Sequence, residues 1–156
     1  ALFGVALGST VQLIQGVVQR WEASSAHKVD PQVVNIAEKY KRPLSASLLT
    51  RELNISLEDS RKALRRFIKN RQGKVYTDID GTEYIGIPSV WRDLPGIENA
   101  VLTKLLESGG KSKRVELRVW LGLPEISFSQ VMMSLERSGY VIYEDAFDEY
   151  KLRGVQ

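Results

Sequence analysis

Ser56-Leu57-Glu58-Asp59-Ser60-Arg61-Lys62-Ala63-Leu64-Arg65-Arg66-Phe67-Ile68-Lys69-Asn70 is the stretch on which the fold turns. Ser56 followed three residues later by an acid reads as a capping box, because its hydroxyl can accept from a backbone N–H that the first helical turn leaves unpaired. At about 100° per residue, Arg61, Arg65, Lys69, Lys62 and Arg66 fall within a sector of about 140°, and Ala63, Leu64, Phe67 and Ile68 fall opposite. The spacing predicts an amphipathic helix that ends near Asn70, with five cations facing away from the core. Exposed helix faces commonly mix Glu and Lys at i,i+4, whereas here only Glu58 can pair within the helix, with Lys62.

Downstream, Arg71 and Lys74 extend the basic run into two strand-like segments on either side of Asp80-Gly81, a hairpin signal in which both turn residues favour positive φ. Asp78, Asp80 and Glu83 make that hairpin acidic. Upstream, Ser45 can cap a short helix that turns Leu48, Leu49 and Leu53 inward, and Asn54 suits the left-handed residue that ends it. Asp30-Pro31 opens an earlier helix, with Pro at the first helical position, and its apolar face is Val33, Ile36, Ala37 and Tyr40. Residues 30–88 therefore read as helix, short helix, turn, helix, hairpin.

The same order recurs over residues 91–153. Pro95 to Ser108 reads as a helix stopped by Gly109-Gly110, and Arg114 to Leu121 as a second. Ser127 to Gln130 resembles another capping box, opening a helix whose inner side is Phe128, Val131, Met132 and Leu135. Tyr140 to Tyr143 and Glu149 to Arg153 then bracket a second hairpin. Leu49 aligns with Leu117, Leu53 with Leu121, Ser56 with Ser127 and Leu64 with Leu135, a faint internal repeat. Lys111, Lys113 and Arg114 read as a basic turn, either a solvated loop or a phosphate anchor. Trp91 is assigned to the joint between the repeats and Trp120 to core.

Three helices closed by a β-ribbon, twice over, resemble the winged-helix variant of helix-turn-helix proteins in tandem. The implied fold class is mainly α with small β-hairpin wings, two winged-helix-like modules preceded by an apolar N-terminal helix over residues 1–29. The resemblance implies that the third helix of the first module enters the major groove of double-stranded DNA while the wing lies over flanking backbone. Arg61, Lys62, Arg65, Arg66, Lys69, Arg71 and Lys74 are then the nucleic-acid-binding residues. Glu58 and Asp59 occupy the turn that would meet base edges, so the expected contacts are to phosphates, along Arg61, Arg65 and Lys69.

Charge supports that division of labour. Residues 31–87 hold eleven Lys and Arg against seven Asp and Glu, a balance of +4, and residues 88–156 hold nine against ten, a balance of −1. The second module's third helix offers Ser129, Gln130, Met133, Glu136 and Arg137, and its wing carries Glu144, Asp145, Asp148 and Glu149, which would repel phosphate. Tandem winged-helix units also serve as assembly parts of protein complexes, so the alternative to a DNA-binding regulator or architectural factor is a scaffold that binds protein.

Residues 1–19 carry no charge, and Leu7, Val11, Ile14, Val18 and Trp21 repeat at alternating steps of four and three, the seam of helices packed side by side. A packing or dimerisation helix, to a second copy or a protein partner, is the first reading, joined by Met133 as an interface residue. A membrane anchor is the second, with Gln12, Gln15 and Gln19 making the stretch only moderately apolar. The expected setting is cytoplasmic, or nuclear in a eukaryote, with membrane association as the alternative. The chain has no cysteine and one histidine, His27, and it lacks phosphate-loop, nucleotide-fingerprint and metal-ligand spacings. An enzyme, a cofactor and a metal site are therefore not expected.

Overall fold

The computed structural model describes residues 30–156, so the segment 1–29, with Leu7, Val11, Ile14, Val18 and Trp21, lies outside the described residues. Pro31–Tyr40 (α1), Ala46–Leu53 (α2) and Leu57–Lys69 (α3) precede the hairpin strands Lys74–Thr77 (β1) and Glu83–Gly86 (β2). The first of two 3-10 turns, Pro88–Trp91, leads to Gly96–Glu107 (α4), Lys111–Lys113 (β3), Arg114–Leu121 (α5) and Glu125–Arg137 (α6), and the second, Asp145–Phe147, lies between the last two strands. Val141–Glu144 (β4) and Glu149–Leu152 (β5) complete the described chain, which is mainly helical with small antiparallel sheets.

Local chemistry explains most boundaries. Ser45 Oγ accepts from the Leu48 N–H at 3.2 Å and Ser56 Oγ from the Asp59 N–H at 3.1 Å, so α2 and α3 each satisfy one orphan donor. Asn54 stands in the left-handed region at φ 54°, which lets α2 stop and the chain reverse into α3. At the crossing of these helices Thr50 Oγ1 and Ser60 Oγ lie 2.9 Å apart, and Ser60 is fully buried, so a small polar pair replaces bulk where the backbones approach.

Val33, Ile36, Ala37, Leu48, Leu49, Leu64 and Phe67 form the apolar centre of the first half. Leu102, Leu105, Leu117, Phe128, Met132 and Leu135 form that of the second. Pro31–Gln156 nevertheless make one compact unit, and three features join the halves. Trp91, 1% exposed, donates its indole N–H to the Lys41 carbonyl at 2.7 Å, tying the 3-10 turn to the end of α1. Arg92 reaches Glu38 of α1 at 2.7 Å, and this hydrogen bond, followed by that of Lys41, holds the Glu38 carboxyl below its ordinary range.

The third feature is the return of residues 154–156. Leu44 pairs antiparallel with Ile85 and parallel with Val155, so it sits as the middle of a small sheet edge between β2 and the last residues. Gln156 Nε2 donates to the Tyr84 hydroxyl at 2.9 Å, and Arg51 donates to the Gln156 carbonyl. Tyr76 and Tyr84 stack with centroids 5.5 Å apart on this side of the hairpin. A Cβ on Gly110 would strike the Tyr76 ring, and Gly110 has φ +90°, so glycine is required twice over at this joint.

Several boundaries differ from those the sequence predicts. The first hairpin is not a two-residue Asp80-Gly81 turn: Thr77 pairs with Glu83, Asp78 N–H bonds Thr82 O at 2.8 Å and Gly81 N–H bonds Asp78 O at 2.9 Å. Only Gly81 there has positive φ, and the Asp80 carboxylate instead accepts from the Thr82 N–H, closing the wider loop locally. Helix α6 begins at Glu125 after Pro124, without a side-chain cap, so Ser127 lies inside it. Pro124 fixes the chain just ahead of the helix, and Glu125 in the first turn suits the positive end of the dipole.

Lys111–Lys113 is a strand, not a loop; it pairs with β5 in a three-stranded sheet ordered β3-β5-β4. Trp120 is half-exposed on α5 rather than core, its ring 5.1 Å from Lys104 Nζ, because Leu117 takes the inward position on that short helix. Among the described residues no helix is long and apolar enough to cross a membrane.

Candidate functional site

Helix α3 owes its orientation to its buried side, Ser60, Ala63, Leu64 and Phe67. Arg71 adopts φ 59° just past its end, and the N–H groups of Gln72 and Gly73 both bond the Phe67 carbonyl, at 2.8 and 3.0 Å. A Cβ on Gly73 would come within 3.1 Å of both Phe67 and Ile85, so glycine lets β1 start close against the helix. The hairpin is thereby held beside α3, and a groove opens between them.

Arg61, Lys62, Arg65 and Lys69 are exposed on α3 and Arg66 is half-buried; Arg71 and Lys74 are exposed beyond it. Lys62 pairs with Glu58 at 3.9 Å. Among the described residues no ion pair reaches Arg61, Arg65, Arg66, Lys69, Arg71 or Lys74, although Lys39, Lys41, Arg92, Arg114, Arg118 and Lys151 are all paired. Six of the thirteen cations without an ion pair among the described residues therefore lie on or just beyond this one helix; Arg42, Arg51, Lys104, Lys111, Lys113, Arg137 and Arg153 are spread over the rest.

Of the seven, three share a cavity. Arg61, Arg65 and Lys69 line a groove of about 800 Å³ together with Leu57, Ile68 and Val75. The first turn of α2, from Ser45, opens onto the same groove and adds the positive end of a helix dipole. Arg71 and Lys74 line a separate recess of about 560 Å³ against Thr103 and Glu107 of α4, and Lys62 and Arg66 line neither. Ile68, placed on the core side by its angle, is 36% exposed and borders both recesses, because α3 meets the hairpin rather than another helix there.

The apolar members of the groove escaped the sequence reading. Leu57 is 41% and Val75 45% exposed: Leu57 continues the Leu64 side of α3 but lies in the first turn, two turns before Leu64, and Val75 alternates with the buried Tyr76. The second half differs in kind. Its helices expose Val115 and Val119, one turn apart on α5, and Ile126 and Met133, two turns apart on α6. Val119 is 68% and Ile126 75% exposed.

The cations of the second half are largely engaged. Arg114 binds Glu125 and holds that carboxyl below its ordinary range, and Arg118 approaches the same carboxylate at 3.6 Å. Lys113 donates to the Phe147 carbonyl at 2.8 Å, so with Arg114 on Glu125 two of the three cations at 111–114 are engaged within the second half. The Tyr143 hydroxyl bonds Asp148, which pushes its pKa up to about 12. Among the described residues no three His, Cys, Asp or Glu side chains gather as metal ligands would.

No protein-family model and no curated protein matches the sequence. In structure the chain is similar over 88% of its length to 65% of a chain from "The crystal structure of endosomal complex ESCRT-II (VPS22/VPS25/VPS36)", at 17% sequence identity and a TM-score of 0.39.

Proposed function

We propose that this chain is a non-enzymatic assembly module, two winged-helix-like units fused into one body, that binds protein. The observation that carries this reading is the apolar outer face of the second half. Val115, Val119, Ile126 and Met133 stand more than half exposed on α5 and α6, where a duplex-binding unit would offer cations and hydrogen-bond donors. Interface cores are depleted in charge and enriched in such side chains. The first hairpin adds support: its Tyr76 and Tyr84 face is committed to the second half, and its tip carries Asp78 and Asp80 beside Ile79, 86% exposed, a poor match to phosphate.

One observation favours a second reading, a duplex-binding regulator: the uncompensated Arg61, Arg65 and Lys69 on one helix. A fluorescent duplex titrated with the full chain at rising salt separates the two. Three phosphate contacts would give a log–log slope of about −2.7, at roughly 0.9 per contact. The assembly reading expects duplex binding to be feeble at low salt and gone near physiological salt; tight binding with that slope would replace it with the regulator.

A further inference from the structure

The groove beside α3 combines two chemistries that no single simple ligand surface satisfies. Arg61, Arg65 and Lys69 recur once per turn, about 6 Å apart along the helix, and none has an ion-pair partner among the described residues. Between and opposite them, Leu57, Ile68 and Val75 remain one-third to one-half exposed. Phosphate backbone would meet the cations and leave those side chains against a charged, hydrated surface. An apolar ligand would cover the side chains and strand three cations in a desolvated cleft, which costs more than the burial returns.

We infer that the groove takes an acidic, apolar-studded peptide segment of a partner protein, its carboxylates on Arg61, Arg65 and Lys69 and its apolar side chains on Leu57, Ile68 and Val75. Charge complementarity chooses this occupant. Arginine binds carboxylates with two parallel N–H donors, and the positive end of α2 at Ser45 strengthens the field at the same mouth. Glu83, which also borders the groove, lies on the hairpin side, so the anionic face of the segment is directed to the α3 wall. The volume of about 800 Å³ suits a few anchoring side chains rather than a whole domain.

This inference goes beyond the assembly reading, which rests on α5 and α6, and it fails separately from it. Fluorescence anisotropy of the full chain would be measured with a labelled peptide of alternating Glu and Leu pairs, with a Gln-for-Glu peptide, a Ser-for-Leu peptide and a labelled duplex beside it. The Glu–Leu peptide should bind at least about tenfold more tightly than either altered peptide. Arg65→Glu with Lys69→Glu should remove that advantage, and Val75→Ser should weaken the Glu–Leu peptide alone. Unchanged thermal unfolding certifies that each variant is folded. Equal binding of the Gln peptide, insensitivity to Val75→Ser, or a duplex that outcompetes the Glu–Leu peptide would overturn the inference. So would wild-type self-association abolished by the same charge reversal, which would give the groove to a second copy. None of these results bears on Val119 or Ile126.

Discussion

Helices α3 and α6 occupy the same place in the two halves, third in order and each thirteen residues long, yet they are built differently from the first residue. α3 starts on the Ser56 hydroxyl and carries Arg61, Arg65, Arg66 and Lys69 outward without ion-pair partners among the described residues; α6 starts on Pro124 with no side-chain cap and draws Arg114 and Arg118 of α5 onto Glu125. One helix therefore keeps its electrostatics available to a ligand, and its counterpart uses ion pairs to hold its neighbour while exposing Ile126 and Met133. The two halves share an order of helices and differ in the surface that the third helix presents.

The largest effect is expected at the joint that the halves share. Trp91→Ala removes the largest fully buried side chain among the described residues together with its bond to Lys41, so it should cost about 3–5 kcal/mol in urea unfolding. Both halves should unfold in the same transition; two separated transitions would show that they are independent. Gly110→Ala places a Cβ in the Tyr76 ring at positive φ, and a loss of about 1–3 kcal/mol is expected.

A smaller effect sharpens the contrast between the two third helices. Ser56→Ala should cost about 1 kcal/mol because it deletes the cap, whereas Ser127→Ala, inside α6, should stay within about 0.5 kcal/mol. Equal losses in chemical denaturation would erase the distinction. The smallest effect is acid dependence. Glu125 is held below its ordinary pKa by Arg114, so its contribution is present above the unfolded carboxylate range and disappears as pH falls through its folded value. Glu125→Gln should thus lower the melting temperature near neutral pH and converge with the wild type in acid; a gap that widened in acid would contradict the assignment.

The parts of this fold that sequence disclosed are those fixed within a few residues. Ser45, Ser56 and Asn54 announce α2 and α3 because caps and left-handed ends are local chemistry. The basic face of α3 was likewise visible from helical period alone. What stayed hidden depends on distant partners: Lys111-Ser112-Lys113 has no apolar alternation and becomes a strand only by pairing with β5. Leu44 and Val155 meet through backbone atoms, which leave no side-chain pattern to read. The groove was half legible, since its cations follow a period but the exposure of Leu57, Ile68 and Val75 is decided by where the hairpin lies. Val115 and Val119 went unremarked because an apolar pair on a short helix looks like core until Leu117 is seen to hold that place.

The most direct test of the assembly reading is the native size of the complex that the full chain forms in its own cells, followed for wild type, for Val119→Asp with Ile126→Asp, and for Arg65→Glu with Lys69→Glu. A wild-type assembly heavier than the isolated chain is expected, with a shift to smaller species when Val119 and Ile126 are replaced and the variant is still folded. A wild-type chain that runs alone, or an assembly indifferent to Val119 and Ile126 but dissolved by nuclease, would contradict the assembly reading.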